Sequence, residues 1–372
     1  MGDSERKDDA KVVIPTYTSD SPDFVLDLRP NELSRQFQVL HHSFGLSSDK
    51  RYNLHYIDFG VLLFASGNTV QLFDTHTNKK TVILGKGASS NSAIGAVAVH
   101  PDKTVFAVAE KGANPKVIIY AYIQGGPYKI INVHREGTTS KYADLMFSAD
   151  GTQLATVGGY PDYLLSVWDW ATERIILKTK AFSQDVFHVQ FSPFYPGSLA
   201  TSGSGHIKFW KMASTFTGLK LQGSVGKFGT VELSDIAAFA FMPDGKVLSG
   251  SESGNLLMWD GNFIQYEIMK ADRSPCHRGN IEYISFSPED RTIISAGADG
   301  YMRTWDYNKL EFADPSETCF PLDPVMEVQI SENTGIKCLL RESDQNGPHW
   351  VAIDTAGALY KIVEVLLPGE DE

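Results

Sequence analysis

The feature that most constrains this chain is a short strand pattern that returns seven times at nearly equal steps. Six clear copies end TVQLFD at Asp74, KVIIYA at Ala121, LLSVWD at Asp169, HIKFWK at Lys211, NLLMWD at Asp260 and YMRTWD at Asp306, and a degenerate seventh, ALYKIV, ends at Val363. The signature aromatics are Phe73, Tyr120, Trp168, Trp210, Trp259 and Trp305, with Ile362 in the seventh copy, so the steps are 47, 48, 42, 49, 46 and 57 residues. Four short strands with their turns fit in such a step. A unit of this size buries its apolar face only against a neighbouring copy, so the repeat dictates one continuous assembly.

A second landmark precedes each of these strands. VAVHPD, LMFSAD, VQFSPF, FAFMPD and ISFSPE recur in register, each an alternating apolar strand closed by a Pro/Asp/Gly turn. A short apolar strand with a small, Gly-rich end follows, as in QLATVGG, SLATSGSG and TIISAGADG, and lets the chain turn tightly into the aromatic strand. Strong helical periodicity is absent.

This grammar resembles the WD-repeat β-propellers over nearly the whole length. The resemblance implies an all-β, seven-bladed WD40-type ring with no long unpaired edges, its last blade closed by an N-terminal strand. Arg35 to Gly45, RQFQVLHHSFG, alternates correctly for that strand, with His41 and His42 on opposite faces. The expected organisation is a flexible tail over residues 1–30, the propeller over 31–366 and an acidic tail over 367–372. In the sixth blade His277, Ser295, Asp299 and Trp305 match the family's buried hydrogen-bonded tetrad. The fourth blade departs, with Gly205-His206 at the turn and Lys211 where Asp is usual; the seventh keeps neither Trp nor Asp.

Composition narrows the function. Hydrophobic residues make up 42% and charged residues 21%, enough for a large core and against a mostly disordered chain. The net charge of −12 argues against nucleic acid. Cys276, Cys319 and Cys338 are too few and scattered for a disulfide framework, and no N-x-[ST] acceptor occurs, which points to a reducing compartment. The N-terminus is charged, and no apolar run reaches bilayer length, so no membrane is implied.

Chemistry is sparse. There is no G-x-S-x-G, no H-E-x-x-H and no phosphate loop; GSVGKFG, Gly223 to Gly229, has the wrong spacing and reads as a loop between blades. Cys276-His277 lacks a second pair for zinc, so His277 reads as a core histidine. Tyr56, Phe64, Phe106, Phe147, Phe191 and Phe286 read as core. Lys50-Arg51 and Lys79-Lys80 read as solvated turns, and the loops EKGANPK and GYPDY show no convergence of polar groups. No catalytic residue, cofactor or metal is implied.

One segment is more specific than a generic repeat. HIKFWKMASTFTGLKLQG, together with AIGAVAVHPDK, FAVAEKGANPKVIIY, GGYPDYLLSVWDW, KAFSQDVFHVQFSP and DGKVLSGSESGNLLMWDG, resembles the cilia- and flagella-associated protein 44 family, in order, from about His41 to Asp306. The resemblance implies a structural, non-enzymatic role in the motile axoneme, with localisation to cilium or flagellum, cytoskeleton and cytoplasm. It implies membership of the tether and tether-head assembly that links the inner dynein arm f/I1 motor domains to the doublet microtubule. The partners it implies are a sister WD protein like cilia- and flagella-associated protein 43, the dynein motor domains and, through these partners, the doublet. Family members are longer, which leaves a first propeller of a longer protein, a short form or an incomplete product. A generic adaptor in a non-ciliary complex is the alternative, and an enzyme with a site at the channel mouth is a third. In the fourth blade, Lys211 to Ser214 is the expected turn and Thr215 to Leu221 the outer strand, with Phe216 and Lys220 as a candidate partner-docking rim.

Overall fold

The computed structural model describes residues 24–26, 47, 50–84, 93–124, 128–311, 313, 318–344 and 347–363. These form seven antiparallel sheets, and the first strands of most neighbouring blades touch, so the sheets are arranged radially around a central channel. The inner strands are His55–Asp58, Ala93–Val99, Tyr142–Phe147, Val186–Phe191, Phe239–Phe241, Ile281–Ser287 and Ile336–Asp344, one per blade. Blades one to six each have four antiparallel strands, consecutive in all but blade six, and blade seven has three among the described residues. The proposed closing segment Arg35 to Gly45, with His41 and His42, lies outside the described residues. Phe24–Leu26, within the stretch read as a tail, pairs in parallel with Lys80–Leu84 at the outer edge of blade one.

The core is divided as the repeat demands. Seven apolar clusters fill the seven interfaces between adjacent blades, and the one around Leu54, Leu62, Phe64, Cys338, Val351 and Ile353 joins blade seven to blade one and closes the ring. Each signature aromatic sits opposite a large apolar residue of the preceding strand: Phe73 opposite Leu62, Tyr120 opposite Phe106, Trp168 opposite Leu154, Trp210 opposite Leu199, Trp259 opposite Val247 and Trp305 opposite Ile293. In blade seven the pair is reversed. Ile362 lies opposite Trp350, which now comes from the second strand and packs into the same kind of interface. The bulky-plus-branched pair that fills the wedge is kept, with its members exchanged.

Two irregularities explain the uneven steps. The long last step holds an insertion in blade six: the helix Tyr307–Glu311 and the strand Cys319–Pro321, which pairs in parallel with the outer strand of blade five before Met326–Gln329 completes blade six. In blade four the expected turn at Lys211 to Ser214 is wrong. The third strand runs on from His206 to Thr215, Phe216 and Thr217 make the turn, and the outer strand is Gly218–Val225. Lys211 to Ser214 contains no Gly, Pro, Asn or Asp to break a strand, and the first residue free to take the required positive φ is Gly218, at 105°. Because the second strand ends its pairing at Ser198 opposite Lys211, residues 212–221 project beyond the blade as a two-stranded arm.

Candidate functional site

Three places could act on another molecule: the polar locks that hold the loops, the channel, and the rim. The locks begin in blade six. Trp305 Nε1–H donates to Ser295 Oγ at 2.9 Å, the Ser295 hydroxyl reaches His277 Nε2 at 2.7 Å, and His277 Nδ1–H reaches Asp299 Oδ1 at 2.9 Å. The Asp299 carboxylate can only accept, so the ring proton lies on Nδ1, and Nε2 accepts the Ser295 hydroxyl proton. The structure therefore brings His277, Ser295, Asp299 and Trp305 into one chain, and adds Arg303, whose Nη1–H donates to Asp299 Oδ2 at 2.7 Å. Burial lowers the His277 pKa against the opposing pull of Asp299, so the ring is neutral. Burial would raise Asp299, but hydrogen bonds from His277, Arg278 N and Arg303 hold its carboxyl well below the usual range.

The same device recurs with other residues. Trp168, Trp210 and Trp259 donate to Thr156, Thr201 and Ser249 at 2.9, 2.9 and 2.8 Å. In blade three Asp162 accepts from Thr138 Oγ1 at 2.9 Å, in blade five Glu252 accepts from Asp235 N at 2.9 Å, and in blade seven Asp354 accepts from Thr334 Oγ1 at 2.6 Å. Each carboxylate sits in the turn between second and third strands and ties down the loop that enters the inner strand. Sequence reading found this lock only where its donor was a histidine.

The channel is plugged at its entry face, where the chain runs into the inner strands. Tyr52 from blade one crosses it, stacks on His188 of blade four at 3.8 Å between centroids and reaches toward Ala237 O of blade five at 3.5 Å. Beneath the ring, His188 Nδ1 meets Asp144 Oδ2 of blade three at 2.7 Å. On the opposite face the channel is an apolar cavity of about 420 Å³, lined by Met146, Phe194, Phe239, Phe241, Phe286 and Leu340 among others. Tyr56 and Phe286, read as core, are only half buried, whereas Phe64, Phe106, Phe147 and Phe191 are buried between blades. Burial pushes the Cys276 and Cys338 thiols up to about 12, which leaves both as protonated packing groups. No group of three or more metal-ligating side chains converges among the described residues.

Bulges shape the entry face. In blades two, three, four, six and seven the register shifts near the start of the inner strand, at Gly95, Ala143, Phe187, Glu282 and Lys337. A bulge re-aims its side chain, and here the five ring the channel mouth. Glu282 accepts from Arg51 Nε at 3.3 Å and pairs with Lys337 at 2.8 Å, and the Arg51 guanidinium lies 4.3 Å from the Phe187 ring centroid. Where the bulged residues are small, at Gly95 and Ala143, a cleft of about 240 Å³ opens between blades two, three and four. Lys50 and Arg51, read from sequence as a solvated turn, line this cleft with Lys111 and Lys141. The loops EKGANPK and GYPDY also meet after all: Asn114, Pro115, Lys116 and Asp162 line one cavity of about 480 Å³ with Arg135 and Lys178. GSVGKFG divides between the outer strand of blade four and the link to blade five, where Phe228 packs edge-on to Trp259.

At the rim, the blade-four arm is two-sided. Met212 and Leu221 pack toward blade three, while Lys211, Ala213 and Lys220 alternate to the other side. Phe216 stands at the tip, fully exposed, and Lys220 is exposed beside it. From Val186 to Val231 the chain has no Asp or Glu and four lysines, in a protein of net charge −12.

Fold and site together define a closed propeller whose polar side chains mostly lock loops. A family model described as the echinoderm microtubule-associated protein first beta-propeller matches residues 89–349, and the chain belongs to this family of propellers. Its homologues at higher identity carry one name, cilia- and flagella-associated protein 44. The mouse protein is 43% identical over 357 residues, 95% of this chain and 19% of its own length; that of Chlamydomonas reinhardtii is 43% identical over 327 residues, 86% of this chain and 18% of its own. The Trypanosoma brucei brucei protein is 35% identical over 345 residues, 87% of this chain and 19% of its own. The chain thus spans about a fifth of the length of these relatives, and the resemblance seen in the blade-four segment extends over most of the ring.

Proposed function

We propose that this chain is a structural propeller of the motile axoneme that works by gripping proteins and catalyses nothing. In this reading it is part of the tether and tether-head assembly between the inner dynein arm f/I1 motor domains and the doublet microtubule, beside a sister like cilia- and flagella-associated protein 43. The observation that carries the reading is identity of 43% to a cilia- and flagella-associated protein over 95% of the chain. A ring held by seven interlocked cores is rigid enough to transmit a restraint, and the arm carrying Phe216 and Lys220 offers an exposed aromatic within a basic blade. The test is a tagged copy in a motile ciliated cell. Axonemal signal that survives detergent, with proximity labelling of inner-arm dynein, is expected; a detergent-soluble or non-ciliary signal overturns the reading and favours a generic adaptor.

A second reading, direct attachment to the microtubule, is favoured by the matched family's being named for microtubule-associated proteins. The net charge of −12 opposes long-range attraction to an acidic filament. Purified chain is therefore expected to stay in the supernatant when bare microtubules are pelleted at physiological salt; robust cosedimentation selects the direct mode.

A further inference from the structure

We propose that the cleft at the entry-face channel mouth is a binding site for the carboxylates of an acidic peptide. Its residues come from four blades: Lys50 and Arg51 lead into blade one, Gly95 and Lys111 belong to blade two, Lys141 and Ala143 to blade three, and Asp185 and Phe187 to blade four. Lys111 and Lys141 face each other across an isolated antiparallel bridge. Like charges directly opposed across strands destabilise a fold, and local conflicts of that kind are expected at functional or strained sites. No carboxylate relieves it: neither lysine ammonium has an ion-pair partner among the described residues, and the one acidic lining residue, Asp185, pairs with neither of them nor with Arg51 among the described residues. Arg51 is held on the Phe187 ring and uses Nε for Glu282, which leaves both terminal amino groups without a hydrogen-bond partner among the described residues. A guanidinium fixed in this way presents its fork to a carboxylate with little further loss of freedom.

The space is built by the backbone. A Cβ at Gly95 would lie 2.2 Å from Tyr142 O, so no side chain can occupy that bulge, and the neighbouring bulge carries only the methyl of Ala143. The Lys141 stem packs over Gly159, where a Cβ would meet its Cε at 2.1 Å, so its ammonium is held at the cleft wall. The Lys111 and Lys141 ammoniums and the Arg51 terminal amino groups, around a cleft in an otherwise acidic protein, describe a site for the carboxylates of a peptide.

The test uses fluorescein-labelled hexaglutamate and the full chain, read by anisotropy across a salt series. Binding that weakens with salt is expected, with an affinity loss of about tenfold or more in the Lys111→Ala/Lys141→Ala double variant. A Lys129→Ala/Lys361→Ala control, equal in net charge and on exposed strands away from the cleft, should bind like the parent. Unchanged circular dichroism and melting temperature in both variants keep a folding defect from imitating the loss. Equal weakening in the two variants, or no binding at low salt, overturns the proposal, as does tighter binding of a matched phosphoserine peptide. The inference goes beyond the axonemal reading, which stands or falls on localisation alone.

Discussion

Blades six and seven are built on the same strand order and hold their loops by different chemistry. In blade six a neutral imidazole connects an indole, a hydroxyl and a carboxylate, and the carboxylate also neutralises Arg303. In blade seven the aromatic has moved to the second strand, and the carboxylate that holds the loop is Asp354. It accepts from Thr334 Oγ1 at 2.6 Å, Tyr360 OH at 3.0 Å and the amides of Ala356 and Ala358 at 3.0 and 2.8 Å. The constant element is a carboxylate in the second-to-third-strand turn; the donor is free to vary because any hydroxyl, amide or ring N–H meets the same need.

The largest expected effect tests whether blade six depends on its indole. Trp305→Ala should cost about 3–5 kcal/mol for a fully buried aromatic, with added loss from stranding Ser295 and His277. A denaturation midpoint close to the parent's would break the assignment. Asp299→Ala should cost about 3 kcal/mol or more, because it removes the buried carboxylate that receives both His277 and Arg303 and leaves the buried guanidinium only the half-exposed Glu327. Asp354→Ala, which abandons no cation, should cost less, and equal losses would erase the distinction between the blades.

Acid sharpens the comparison further. His277 has a folded pKa below its ordinary value, so the unfolded chain takes up the proton first as pH falls. Its contribution is present above about pH 6.5 and lost below. Asp299 is depressed too, and its contribution is lost at still lower pH. Replacing His277 with the threonine that blade seven uses, His277→Thr, should flatten the fall in stability between neutral pH and pH 5. An unchanged slope would mean that the ring does not titrate as placed.

Smaller effects separate packing from polarity. Trp305→Phe should exceed Trp350→Phe in cost by about 1 kcal/mol, since Trp305 gives up a hydrogen bond and the Trp350 indole N–H has no partner among the described residues. Thr334→Val should cost about 1 kcal/mol through the lost donor to Asp354. Differential scanning calorimetry on the three variants decides both.

Much of this was legible in the chain. The blade count, the inner strands, the interface aromatics and the His277-centred lock all lie within single repeats, where partners are a few tens of residues apart and a period or motif records them. The other locks were missed because Thr138, Glu252 and Thr334 are ordinary loop residues until their partners are seen. The arm was misread because the turn signal, Gly218, lies four residues past the expected turn at Lys211 to Ser214.

What the sequence determined alone was the ring: alternation with a period of two sets which side chains face the neighbouring blade, and a step of four strands sets how often the unit returns. What only tertiary structure decided was the content of the channel and its mouth. Ring closure brings Tyr52 onto His188, Arg51 onto Glu282 across 231 residues of chain, and Lys50 and Arg51 beside Lys111 and Lys141. No repeat connects those positions, because they meet along the circumference of the closed ring and through bulges whose direction depends on their neighbours. A pair of basic residues that reads as a wet turn in one dimension becomes one wall of a cationic cleft once seven blades have closed around it.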